Sequence, residues 1–216
     1  MTNNSHYGYL DHVRHDILKM IPADGAIIGS LGCGRGATEA TLVAQGRTVH
    51  GVDVSQEAIH TARDRLSTAR VIHPDELQPF ELSSLDGLIL ADVIEHLPMA
   101  WERLRNLTPA VRPGGWVVIS VPNMRSIDVL FQLACRGDWP ENPLGIFDAT
   151  HIQVMTHKRV LRWAGAADLN LESWFDSYDY RFVRRNVYRA LNLATGRLMR
   201  GFFTFEVQGR FRRRVS

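Results

Sequence analysis

A short apolar run ending in three closely spaced glycines constrains this chain more than any other stretch. Residues 26–31 have the length and composition of a buried strand, and they lead directly into Gly32-Cys33-Gly34-Arg35-Gly36. Glycine lets the backbone turn tightly and come close to a ligand. The stretch 37–45 that follows has helical patterning, so its free N–H groups stand just behind the turn, where they favour an anion or a polar group. A second strand is expected at 48–52, and it ends in Asp53-Val54-Ser55. A carboxylate placed about 20 residues after such a turn is positioned to hold a ribose through its hydroxyls. The competing role for Asp53 is a helix N-cap, for which Ser55 is the better candidate.

The same alternation continues along the chain. Helix is expected at 56–66, strand at 70–73, strand at 85–91, helix at 101–111 and strand at 116–121. Helix at 157–166, strand at 171–177 and strand at 202–208 complete the pattern. Alternating units of this kind imply a mostly parallel sheet with helices on both faces. Two stretches stand outside the alternation, an amphipathic leading helix at 9–20 and a basic helix at 184–200.

At 216 residues, the chain is long enough for one domain with a sizeable core and too short for two full ones. The expected organisation is a single domain over 1–216. It has a leading cap over 1–22, substrate-side insertions at 122–156 and 181–200, and a basic tail at 210–216. No apolar run reaches the ~18–20 residues of a membrane span, and the N-terminus lacks the apolar stretch of a secretion signal. Cys33 and Cys135 form no disulfide framework, so a reducing cytoplasm is the expected compartment. Charge is unevenly distributed, since from Arg181 onward ten arginines face one acid, Glu206. Such a segment suits an anionic partner. Arg184, Arg185 and Arg189 are expected to meet an anionic substrate or the inner face of an anionic membrane, and Arg212, Arg213 and Arg214 to lie in a solvated terminus. RNA ranks lower because the chain has no recognised RNA-binding module.

Together, LGCGRG, GVDVS, Asp75 in HPDELQPF, LDGLILADVIEHL and RPGGWVVISVPN resemble the class I S-adenosylmethionine-dependent methyltransferases over about Tyr7 to Phe182. The resemblance implies a Rossmann-like α/β fold with a seven-stranded, mostly parallel sheet, and S-adenosylmethionine as cofactor. It assigns Gly32, Gly34 and Gly36 to the methionine part, Asp53 to the ribose hydroxyls, and Cys33 and Val54 to the cofactor site. Asp75 and Glu76, with Leu77 less certain, go to the adenine side, Ala91 and Asp92 to the cofactor wall, and Tyr7 or Tyr9 to a closing contact. One position departs from the family. An acid that commonly orients the cofactor amino group usually stands two residues before the glycine turn, and here that residue is Ser30. A nicotinamide-binding turn is the competing reading of the glycines, but it explains neither DVIEHL nor the PGGWVVISVPN segment.

The chemistry-bearing residues form two groups, Asp92, Glu95 and His96 after the fourth strand, and Asp148, Thr150 and His151 further on. Spacings of i, i+3 and i+4 share one helical face, so Asp92, Glu95 and His96 could converge, with His151 completing a site for a hard cation such as Mg²⁺. That layout resembles the small-RNA terminal 2′-O-methyltransferases and the ubiquinone-biosynthesis O-methyltransferases. The metal-free alternative makes His96 or His151 a general base. The segment from Arg136-Gly137-Asp138-Trp139 to Thr156 resembles a bacterial branch associated with glycan assembly, which implies a sugar or lipid-linked hydroxyl acceptor. A quinone or phenol acceptor and a non-catalytic cofactor-binding subunit are the alternatives. Trp139 and Phe147 are either an acceptor wall or packing under a loop.

Overall fold

The structure is a computed structural model, and it describes residues 11–178 and 182–215. The expected alternation is present. The leading helix α1 is His15–Met20, and β1 is Ile27–Leu31, α2 Ala37–Ala44, β2 Thr48–Asp53, α3 Gln56–Ala62 and β3 Thr68–Val71. After β4 (Leu85–Ala91) come a 3₁₀ turn at Ile94–His96, α4 (Ala100–Leu107) and β5 (Val111–Pro122). The C-terminal part holds α5 (Ile127–Phe131), α6 (His157–Ala166), β6 (Leu169–Asp176), α7 (Phe182–Ala194), α8 (Arg200–Phe203) and β7 (Glu206–Arg213).

The seven strands form one sheet in the order β3-β2-β1-β4-β5-β7-β6. β7 runs antiparallel to both of its neighbours, and the pairs among β1 to β5 are parallel. The central strands are almost continuously apolar because helices cover both faces. Side chains alternate across the pleat. Leu88 and Leu90 of β4 therefore join Val117 and Ile119 of β5 in the larger core. Ile89, Trp116 and Val118 point the other way and meet Ile17 and Met20 of α1 and Leu42 of α2. Each such side chain contributes ~1.5–3 kcal/mol when buried.

The C-terminal segment corrects the sequence expectation. Residues 202–203 end a short helix, and the last strand begins four residues later than expected and runs on to Arg213. The stretch expected as a solvated basic tail is a sheet strand wedged between β5 and β6, with Phe211 fully buried. Acids and carbonyls absorb its arginines. Arg212 pairs with Glu172 at 2.5 Å and Asp24 at 2.7 Å, Arg210 pairs with Glu172 at 2.7 Å, and Arg213 donates to the carbonyl of Val111. The basic helix is also shorter than expected, ending at Ala194.

Candidate active site

Switching from β1–β2 to β4–β5 opens a crevice at the carboxyl ends of these strands, where ligands of such sheets bind. The glycine turn forms its floor. Gly32, Gly34 and Gly36 all have positive φ, at 71°, 53° and 72°. A Cβ on Gly32 would lie 3.0 Å from Val93 Cγ2, so backbone alone fits there. The N–H groups of Gly32 and Cys33 donate to the carbonyl of Val52, at 2.8 and 3.2 Å, which ties the turn to β2. The Cys33 side chain packs into a small core with Ile59, Ala62 and Leu66, so this residue offers the crevice only its backbone. Burial pushes its thiol well above the usual range.

Asp53 accepts from Gly34 N at 2.9 Å through one oxygen and from Ser55 N at 2.8 Å through the other. A carboxylate has about four acceptor positions, so roughly two are left for a ligand's hydroxyls. Ser55 caps α3 by accepting from Ala58 N at 3.2 Å, which frees Asp53 from that task.

A cavity of about 970 Å³ rises above this floor. His12 and Arg14 from the leading segment, Val54, Glu76, Leu77, Ala91, Asp92, His96, Ile146 and His151 all line it. Most of the lining is apolar, including Ile72, Leu97, Leu107, Leu144 and Phe205. Asp75 is not part of the wall. Its side chain is 84% exposed and turns to His73, because Arg103 anchors this loop through the carbonyls of Pro74 and Glu76. Glu76 pairs with Arg70 at 2.5 Å, and that pairing lowers its carboxyl below the usual range. Tyr7 and Tyr9 lie outside the described residues.

Asp92 departs from the expected helical face. Its φ is +50°, and only the single 3₁₀ turn Ile94–His96 follows. Its carboxylate is taken by the Arg14 guanidinium and by Ser120 Oγ, which donates at 3.1 Å. Arg14 also donates to Asp16 at 2.7 Å and to Glu206 at 3.0 Å. The carboxyl of Glu206 is pushed up to about 8, chiefly by burial and then by the charge of Asp92. Sequence reasoning missed Arg14, Arg103 and Glu206, whose partners lie far away along the chain.

Glu95, His96 and His151 do converge, with potential ligand atoms all within 4.8 Å of one another. The two rings stand 4.7 Å apart. His96 Nδ1 lies 2.9 Å from Thr150 Oγ1 and 3.3 Å from the Thr150 carbonyl, and Thr150 Oγ1 donates to Asp148 at 2.6 Å. A carbonyl only accepts, so Nδ1 carries the proton and Nε2 keeps a free lone pair. The same argument holds for His151, whose Nδ1 faces the Ile146 carbonyl at 3.4 Å. Burial, and then the neighbouring His96, lower the pKa of His151. Glu95 is fully buried, and neither carboxylate oxygen has a hydrogen-bond partner. Burial and the charge of Asp92 raise its pKa well above the usual carboxylate range. Trp139 and Phe147 pack edge-on at 4.9 Å and do not line the cavity, and Trp139 is exposed.

Residues 30–117 match the family model described as a methyltransferase domain. The chain is 28% identical over 157 residues to a ubiquinone biosynthesis O-methyltransferase of Alkalilimnicola ehrlichii, covering 69% of this chain and 63% of that protein. It is 24% identical over 162 residues to the protein of the same name in Coxiella burnetii, covering 72% and 68%. It thus spans about two-thirds of the length of these relatives. The structure of an S-adenosylmethionine dependent methyltransferase from Mesorhizobium loti superposes with a TM-score of 0.63 at 17% identity, covering 91% of this chain and 95% of that one. At that identity the likeness establishes a shared fold.

Proposed function

We propose that this chain, which belongs to the class I S-adenosylmethionine-dependent methyltransferases, methylates a hydroxyl oxygen on a small, largely apolar acceptor. The observation that carries the reading is the pair His96 and His151 on the wall of a cavity floored by the glycine turn. The floor fits the cofactor, with a cradle at Gly32 that a Cβ would fill and two open acceptor positions on Asp53. Gly32, Cys33, Gly34 and Gly36 would hold the methionine part with backbone groups. Asp53 would hold the ribose, while Val54, Glu76 and Leu77 flank the adenine side. When bound, the cofactor supplies a methyl group already activated for in-line transfer. The protein's remaining tasks are to align the acceptor, exclude water and take a proton.

His96 Nε2 is the group we assign to that proton. Asp148 accepts from Thr150, Thr150 accepts from His96 Nδ1–H, and this chain fixes the tautomer and the ring plane. It also stabilises the imidazolium that forms on proton uptake, as in other base–orienter pairs. His151 stands beside it, its lowered pKa keeping it neutral and able to accept a hydrogen bond from the acceptor hydroxyl. Replacing either histidine with alanine should slow turnover on the order of 100-fold. Near-normal rates in both variants would defeat the assignment.

The unsatisfied carboxylate of Glu95 favours a second reading, in which Glu95, His96 and His151 bind a metal. With Asp92 committed to Arg14, the set is one oxygen ligand and two imidazoles. Such donors suit Zn²⁺, Mn²⁺ or Fe²⁺ better than Mg²⁺, which demands oxygen. Elemental analysis of the purified protein decides between the readings, because a stoichiometric ion lost in Glu95→Gln would favour the metal.

Leu97, Leu144, Ile146 and Phe205 would enclose a ring or an alkyl chain, which favours a phenolic or quinol hydroxyl. A sugar hydroxyl is the alternative implied by residues 136–156. Parallel assays with a catechol and a sugar diol separate the two, and cofactor binding without turnover on either would favour a non-catalytic subunit. Val187, Leu191 and Leu193 are exposed on α7, which also carries Arg189, and Ile127, Leu130 and Phe131 are exposed on α5. Tyr188 ties the two helices together by donating to Asp128 at 3.1 Å. No acid occurs between residues 182 and 205, so we assign this face to an anionic lipid surface that would present a lipid-tailed acceptor. Retention on phosphatidylglycerol but not phosphatidylcholine vesicles, lost in Leu191→Ser with Arg189→Ser, is the expected result. Equal binding to both lipids, or to neither, would refute it. None of the helices among the described residues is long and apolar enough to cross a membrane.

A further inference from the structure

Ser30 is the one position where the glycine-turn segment departs from its family, and the structure shows what occupies the space beside it. Ser30, the penultimate residue of β1, is buried, and its hydroxyl donates to Glu39 Oε1 at 2.7 Å. Glu39 is the third residue of α2. It is only 6% exposed, yet it lines the cavity beside Gly32, Gly34 and Thr38. Among the described residues no cation pairs with it. Among those residues its side-chain hydrogen-bond partner is the neutral Ser30 hydroxyl. Burial pushes its carboxyl up, while the Ser30 hydrogen bond pulls it back.

A buried carboxylate without a cation is costly, and proteins normally pair such groups. Here the pairing partner can arrive from the cavity. Of the two positive centres on S-adenosylmethionine, the sulfonium has no N–H to donate and the α-ammonium has three. A carboxylate held from behind by a serine hydroxyl, beside the turn assigned to the methionine part, matches the ammonium. We infer that Glu39, oriented by Ser30, is the anion that receives the α-ammonium group of the cofactor. The acid has moved from the strand to the first turn of the helix, and the serine left on the strand orients it. The inference rests on the cofactor reading above.

Calorimetric titration with two ligands tests it. S-Adenosylhomocysteine carries the ammonium, and 5′-methylthioadenosine shares its adenine, ribose and thioether but lacks the amino acid. Glu39→Gln preserves shape and removes the charge. It should weaken S-adenosylhomocysteine by about 10- to 100-fold, the range expected for a charge-assisted hydrogen bond. Methylthioadenosine affinity should stay within about twofold and so reports that the variant is folded. Ser30→Ala keeps the acid but releases it, and should cost S-adenosylhomocysteine a smaller, several-fold loss with methylthioadenosine again unaffected. If wild-type protein binds both ligands and neither variant discriminates between them, Glu39 is not the ammonium partner and the cofactor reading survives. Failure of the wild-type protein to bind either ligand overturns both.

Discussion

Replacing Arg14 with methionine should destabilise the protein by about 3–5 kcal/mol at pH 7.5, the range for breaking a buried ion pair. The guanidinium is 14% exposed and touches three carboxylates, of Asp16, Asp92 and Glu206, which are themselves 30%, 20% and 11% exposed. Each pair attracts by about 4 kcal/mol at ~4 Å with an effective dielectric of ~20. The gross attraction is therefore on the order of 12 kcal/mol, and the several kcal/mol needed to dehydrate the guanidinium offset much of it. Without Arg14 the acids repel one another, although Glu206, already raised to about 8, would shed that repulsion by staying protonated. For a chain of this size the loss corresponds to about 6–20 °C in Tm. Urea denaturation at pH 7.5 and pH 4 measures it. At pH 4 the carboxylates around the gap protonate more readily, so the difference between variant and wild type should narrow. Arg14→Lys should recover little, because one ammonium cannot span three acids. A loss below about 1 kcal/mol, as for an exposed pair, or an equal loss at both pH values would refute the reasoning.

Three further outcomes are expected. Asp53→Ala should weaken S-adenosylhomocysteine binding at least tenfold in calorimetry, since it removes the ribose acceptors and releases Gly34 N; unchanged affinity would move the ribose elsewhere. Gly87→Ala should lower stability by about 3 kcal/mol or more, because its Cβ would lie 2.1 Å from Trp116 Cε2, and Trp116→Phe in the same chain should restore part of the loss in a thermal melt. His157 is held down to about 4, mainly by burial and then by Arg200, against an ordinary value of 6.5. The unfolded chain therefore binds the extra proton first, and stability falls as pH drops from 6.5 to 4. The fall is about 3 kcal/mol at most, nearer 2 after allowing for partial exposure. His157→Phe should flatten that slope in urea titrations, and an unchanged slope would assign it to other groups.

What the sequence determined by itself was the local and periodic part. Strand and helix periods placed β1, β2, β4 and α6 close to their observed ends, and the glycines with Asp53 marked the crevice. These signals are legible because they depend on neighbours a few residues apart. Tertiary structure alone decided the rest. Asp92 turned from its expected face because Arg14, 78 residues away, takes its carboxylate. Glu206 joined them across 192 residues, and the arginines of the C-terminal segment found Glu172, Asp24 and backbone carbonyls only once β7 had slid between β5 and β6. Glu39 became a cavity acid only when α2 packed its first turn against the end of β1, beside Ser30. An antiparallel strand inserted between distant neighbours, and a charge whose partners come from three separate segments, leave no local pattern to read, because the chain's closure onto itself creates those contacts.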